Sequence, residues 1–151
     1  MKITSRFTVA VHTLLAIHRF NGQVKTTSEF IAGSVNVNPV VIRRILQMLK
    51  GAGIVEVKAG SGGAEICKDP ATITLLDIFK AVDSLDGELF HFHEKPNEDC
   101  PVGRNVHKVL DVYLDNAQKA MENELKKTTL KELFDRLGDM EIHGEINNRY
   151  P

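Results

Sequence analysis

The sequence predicts a mainly α-helical fold with one small β-hairpin and one long helix near the C-terminus. Apolar residues recur every three or four positions in the first fifty residues, and two short runs rich in β-branched residues flank a glycine-rich stretch. A segment of about 26 residues then keeps helical spacing after residue 100. With 151 residues, 42% of them hydrophobic, the chain can form one or two small domains around an apolar core.

Charge is distributed unevenly along the chain. Residues 1–68 hold nine Lys and Arg against three Asp and Glu, whereas residues 69–151 hold ten against 17, so the halves carry +6 and −7. A basic half of this kind is typical of proteins that bind a polyanion, although chance is an alternative explanation. No apolar run reaches the roughly 18 residues of a membrane helix, and the N-terminus lacks the apolar core of a signal peptide. We therefore expect a cytoplasmic protein.

Two helices are predicted first. The apolar stripe that begins at Phe7, with spacing i, i+3, i+4 and i+7, predicts a helix from Ser5 to Phe20. Thr26 and Glu29 have the spacing of a capping box, which predicts a second helix that starts there and ends within two turns.

A third helix begins at a strong capping signal. Asn38 is a favoured N-cap, and Pro39 suits the first helical position because its missing N–H costs nothing there. Only Val35–Val37 connects this helix to the second, so the pair forms a helix-turn-helix. The stripe that we expect to be buried comprises Ile42, Ile45, Leu46 and Leu49.

The opposite face of the third helix carries guanidinium and amide groups. Arg can pair with guanine O6 and N7, Gln can pair with adenine N6 and N7, and a helix N-terminus can receive a phosphate. This face is therefore suited to reading a major groove, with an ordinary solvated surface as the alternative. Its residues are Val40, Arg43, Arg44 and Gln47.

A β-hairpin follows the third helix. Gly51–Gly53 ends the helix, and Ile54–Lys58 and Ala64–Lys68 are predicted strands on either side of the glycine-rich turn 59–63. Asp69–Pro70 ends the second strand. An isolated hairpin is only marginally stable, so it should pack on the three helices as the wing of a winged helix-turn-helix. The turn lacks the GxxxxGK[ST] and GxGxxG patterns, which disfavours a nucleotide loop.

The predicted partner of this surface is double-stranded DNA. A winged helix that docks on a protein instead is the alternative, and strongly salt-dependent duplex binding would separate the two. An enzyme is not expected, because Cys100 and His107 could pair but no elbow, oxyanion loop or cofactor fingerprint accompanies them. The predicted DNA contacts are Thr26, Thr27, Asn38, Pro39, Val40, Arg43, Arg44, Gln47, Lys50, Lys58, Ser61, Gly62 and Gly63.

The order and spacing of seven segments are informative, namely 1–11, Ile31–Ala32, 49–55, Gly62–Gly63, Asp69–Pro70, 73–82 and 128–133. Together these segments resemble the Rrf2 family of bacterial transcriptional regulators. The resemblance spans residues 1–137 and implies a homodimer, most often a repressor, that binds a dyad-symmetric operator. Ala59 and Ala64 depart from the glycine and the aromatic residue that are common in the family's wing.

A long helix is predicted from Val102 to about Lys127. At 1.5 Å per residue it would span about 39 Å, more than a small winged-helix domain needs. We therefore expect it to pack against its twin in a homodimer, with an intramolecular helical hairpin as the alternative. The predicted organisation is a winged helix-turn-helix domain at 1–85, then a loop, dimerisation helix and short final helix at 86–137, and a polar tail at 138–151.

The sequence offers few ligands for a sensor group. Several Rrf2 regulators hold an iron–sulfur cluster with three cysteines before the long helix, but residues 86–103 contain only Cys100. The resemblance is therefore to members without a cluster, and no cofactor is expected. Cys100 is a candidate redox thiol, and a small-molecule effector is the other possibility. A weaker hypothesis is a zinc site formed by His91, His93, Cys100 and His107.

Overall fold

The computed structural model describes residues 5–60, 62–82, 89–90 and 92–142. The roles predicted for Ser61 and His91, and the last nine residues of the predicted tail, lie outside these ranges. The mainly α fold with a small hairpin is confirmed. In chain order the elements are α1 (Arg6–Phe20), α2 (Ser28–Val35), α3 (Pro39–Gly51), β1 (Val55–Val57), β2 (Ala64–Ile66), a 3-10 turn (Pro70–Thr72), α4 (Leu75–Val82), α5 (Pro101–Leu125) and α6 (Leu130–Ile142).

One apolar core joins α1, α2, α3, the hairpin, α4 and α6. The four residues predicted as the buried stripe of α3 are all buried. In α1 the buried side is centred on Ala10, Leu14 and Ile17, with Phe7 and Val11 half-buried at its edge. No described helix is long and apolar enough to cross a bilayer.

The start of α2 differs from the predicted capping box. Thr27 is the N-cap, and its hydroxyl accepts a hydrogen bond from the backbone N–H of Phe30 at 3.2 Å. Thr26 is buried, and its hydroxyl donates to the carbonyl oxygen of Ala64 at 2.7 Å. The capping-box prediction was wrong because Thr26 pairs with a residue 38 positions away, on β2. Thr26 therefore fastens the wing to the helices.

The wing is a short antiparallel hairpin in which Glu56 faces Glu65. Each strand has three residues, fewer than predicted. The backbone N–H of Lys58 donates to the carbonyl of Gly63 at 3.0 Å and closes the turn. Gly63 has φ +78°, and a Cβ added there would lie 2.9 Å from the backbone nitrogen of Thr26, so only glycine fits this junction without strain.

The final helix, α6, extends further than predicted. Leu130 and Phe134 are buried, and the ring of His18 on α1 stacks on Phe134 with centroids 3.8 Å apart. Farther along, Arg19 Nε donates to Glu141 Oε1 at 2.6 Å. Residues 138–142 are therefore helical, and their prediction as part of a polar tail was wrong because α1 supplies partners that no local pattern reveals.

Candidate DNA-binding surface

The helix-turn-helix is built as its capping residues predict. Asn36 adopts the left-handed conformation at φ 63° and ends α2, which asparagine tolerates better than most residues. The Oδ1 atom of Asn38 accepts a hydrogen bond from the N–H of Val40 at 2.9 Å, and Pro39 occupies the first turn of α3. The N-terminus of α3 therefore has a fixed direction, with no acidic residue in its first turn.

The outer face of α3 is cationic and open to solvent. Arg43, Arg44, Gln47 and Lys50 are all exposed. Val40 is 45% exposed. Val41, which the sequence reasoning missed, is 38% exposed beside it. Exposed β-branched side chains at the start of such a helix can contact thymine methyl groups.

A cleft of about 350 Å³ joins the helix-turn-helix to the wing. The start of α2, the middle of α3 and the hairpin line it together. The structure thus brings five of the predicted residues into one place, whereas Arg44, Gln47 and Lys50 lie on the outer face of α3. The five are Thr26, Thr27, Arg43, Lys58 and Gly63.

Both cations of this cleft are paired with carboxylates. Arg43 Nη2 lies 2.5 Å from Glu29 Oε1, which connects α3 to the first turn of α2. On the wing, Lys58 Nζ lies 2.9 Å from Glu65 Oε1. All four side chains are at least half exposed, so each pair remains accessible to a competing anion.

Lys25 is a further cation that the sequence reasoning missed. It is exposed and lines a second cleft, of about 390 Å³, together with Lys58 and Gly62. The proximity of Lys25 to the wing could have been inferred only from the hydrogen bond between Thr26 and Ala64 on β2. That bond places the residues before α2 beside the wing. The basic surface therefore extends around the tip of the hairpin.

A family model described as Rrf2, iron-dependent transcriptional regulator, matches residues 3–136. This chain belongs to the Rrf2 family. Members of the family are transcriptional regulators, so the protein is a DNA-binding regulator and not an enzyme. Its winged-helix fold agrees with the resemblance stated from the sequence.

Individual relatives support the same assignment. The chain is 47% identical over 135 residues to YwnA of Bacillus subtilis (strain 168), a candidate HTH-type transcriptional regulator, covering 89% of this chain and 98% of YwnA. A crystal structure of a candidate DNA-binding protein is 43% identical with a TM-score of 0.69, covering 85% of this chain and 98% of that one. The structure of CymR, the global cysteine regulator of B. subtilis, shares the fold at 18% identity with a TM-score of 0.64, covering 89% and 97%.

Cys100 lies at the start of the long helix, as its N-cap residue. The backbone N–H groups of Gly103 and Val102, in the first turn of α5, lower the pKa of the Cys100 thiol below its ordinary value. Gly103 permits the preceding loop to lie against α5, because a Cβ there would overlap the carbonyl oxygen of Asn97. The half-buried thiol is therefore held in an environment that favours the thiolate.

Candidate metal ligands are not clustered within the described part of the chain. Cys67 lies just after β2, where its Sγ donates to the carbonyl of Gly53, whereas Cys100 lies at the start of α5. No three His, Cys, Asp or Glu residues within the described ranges are placed to hold a metal ion. His107 instead contacts the rings of Phe92 and His93 and lies 3.5 Å from Asp111. Because His91 lies outside those ranges, the four-residue zinc hypothesis stays a prediction.

Proposed function

We propose that this regulator binds a dyad-symmetric operator in the cytoplasm as a homodimer and represses transcription. The observation that carries the proposal is the exposed face of α3, where Arg43, Arg44 and Gln47 project beside a wing that carries Lys58. Side chains from α3 read base edges in the major groove, and Lys58 and the turn of the wing contact phosphates.

The exposed face of α5 supports the homodimer. None of its 25 residues, all of them within the described ranges, is buried. Val102 is 73% exposed, Val109 66% and Tyr113 67%. With Val106 and Ala120 these residues follow the alternating spacing of three and four that pairs helices side by side, and Asn116 completes the stripe. We call these six residues the α5 seam, and a second copy of the seam is its partner.

Redox control through Cys100 is the mode of sensing that we propose. A thiolate at the start of α5 is a good nucleophile toward a peroxide: the sulfur attacks one peroxide oxygen, the O–O bond breaks, the other oxygen leaves as hydroxide and takes up a proton, and Cys100 becomes a sulfenic acid. This change would disturb the helix that carries the α5 seam. With two cysteines in the chain, at separate places in the fold, we infer that regulation does not depend on an iron–sulfur cluster.

Duplex titration tests the proposed function. The purified protein is titrated against the promoter upstream of its own gene and against a scrambled duplex of equal length, at two salt concentrations. We expect tighter binding to the promoter at both salts, weaker binding to both duplexes at high salt, and reduced promoter binding after mild oxidation that Cys100→Ser prevents. Equal affinity for the two duplexes at both salts would contradict operator recognition.

A further inference from the structure

Glu29 places a negative charge in the middle of the cationic surface. It lies in the first turn of α2, where hydrogen bonds from its own backbone N–H and from Arg43 lower the pKa of the carboxyl group. The side chain is ionised at neutral pH and 64% exposed. A carboxylate at this position opposes any phosphate that approaches the cleft, so it weakens the attraction of the surface for DNA in general.

The same carboxylate is compatible with base recognition. A guanidinium group has five N–H donors, and Glu29 Oε1 receives one of them from Nη2 of Arg43. The remaining donors suffice for the O6 and N7 atoms of a guanine. A guanine edge can therefore bind Arg43 while Glu29 stays in place, whereas a phosphate at the same position adds a negative charge beside the carboxylate.

We propose that Glu29 is a specificity-determining residue, which orients Arg43 toward a base edge and disfavours its binding to the phosphate backbone. The inference rests on the proposed function, because it assigns a role within operator recognition. An Arg43 without this partner would be free to contact phosphates of any sequence. Glu29 thus reduces binding to random DNA more than binding to the operator.

The wing provides a matched control for this inference. Lys58 and Glu65 form an ion pair of similar exposure. An ammonium group is a point charge suited to phosphate, and it lacks the planar arrangement of donors that matches guanine. Neutralising Glu65 should therefore strengthen binding to every duplex by a similar factor and leave the ratio of affinities unchanged.

The test compares Glu29→Gln with the wild type on the promoter and scrambled duplexes at two salt concentrations. We expect the affinity for scrambled DNA to rise about 3- to 10-fold at low salt. The slope of log affinity against log salt concentration should become more negative by about one, as for one additional phosphate contact. The promoter affinity should change by less than about 2-fold, so that the ratio of promoter affinity to scrambled affinity falls at least about 1.5-fold. Circular dichroism establishes that the variant is folded.

Three further variants make the result specific. Glu65→Gln is the control on the wing, and Asp135→Asn, which removes the partner of Lys131 on α6, changes the net charge equally away from the surface. In an Arg43→Ala background, Glu29→Gln should no longer reduce selectivity. A wild type that prefers its promoter together with an unchanged affinity ratio in Glu29→Gln would overturn this inference alone. A wild type without preference would overturn the proposed function as well.

Discussion

The hydroxyl of Thr13 is fully buried within α1 and has no hydrogen-bond partner among the described residues. An unpaired hydroxyl in an apolar core destabilises the folded state by about 1–3 kcal/mol. Valine has nearly the same shape without the polar group. Thr13 is therefore a residue at which the sequence does not maximise stability.

Thr13→Val should raise the free energy of unfolding by about 1–2 kcal/mol, because a methyl group replaces the unpaired hydroxyl at the same volume. Urea unfolding at a fixed protein concentration measures the change. Thr8→Val is the control, since Thr8 is exposed and its hydroxyl already donates to the carbonyl of Ser5 at 3.0 Å. A less stable Thr13→Val protein would contradict the expectation.

The lowered pKa of Cys100 predicts reactivity that depends on the folded start of α5. In a Cys67→Ser protein, the rate of alkylation by iodoacetamide should reach half its maximum at a lower pH when the chain is folded than when guanidinium chloride unfolds it. The direction follows because unfolding removes the backbone donors of Gly103 and Val102, which favour the thiolate. A folded midpoint equal to or above the unfolded one would refute the prediction.

Among the elements, the wing depends most closely on one glycine. Gly63 and Gly60 both have positive φ, +78° and +73°, but a Cβ on Gly63 would meet the backbone of Thr26, whereas a Cβ on Gly60 would meet nothing within 4 Å. Gly60→Ala should destabilise the protein by about 1 kcal/mol, from backbone conformation alone. Gly63→Ala should cost at least about twice as much, because the hairpin must also shift. Thermal unfolding of the two variants compares them, and equal losses would contradict the close approach.

The recognition helix and the wing should contribute differently to DNA binding. Arg43→Ala should weaken promoter binding by about 1–3 kcal/mol and random DNA by less, because it removes a base contact. Lys58→Ala should weaken both duplexes to a similar extent, because it removes a phosphate contact. Titrations at one salt concentration measure the affinity of each of the two variants for each of the two duplexes. An equal loss on both duplexes for Arg43→Ala would mean that Arg43 contacts only the backbone.

The elements were predictable wherever their signals are local. Asn38 and Pro39 mark the start of α3, and the apolar spacing of α3 predicted all four of its buried residues. Prediction failed where a partner is distant in sequence. Thr26 donates a hydrogen bond to Ala64 on the wing, and Arg19 donates one to Glu141, which lies 122 positions later in the sequence. For the same reason, the carboxylate partner of Arg43 could not be inferred from the spacing that predicted its exposure.

For the whole molecule, the uneven charge indicates an orientation on DNA. Residues 1–68, the part of the sequence within which α1 to β2 lie, carry +6, and the remaining residues carry −7. A polyanion attracts the first part and repels the second, so encounter is biased toward the surface that carries α3 and the wing. We therefore expect the long helix to remain available for the second copy of the chain in the proposed homodimer.

In the proposed homodimer, the α5 seam determines whether one copy or two copies of the chain bind the operator. Tyr113 is 67% exposed on the seam, so a charge there leaves the fold of a single copy intact but must be buried when two seams meet. Tyr113→Glu should therefore weaken self-association at least about 10-fold in light scattering, and with it binding to the full operator. Arg104→Gln changes the net charge equally at an exposed position on the side of α5 opposite the seam and should have no effect. A Tyr113→Glu protein that stays dimeric would place the interface elsewhere, whereas a monomer with unchanged operator affinity would show that one winged helix suffices for recognition.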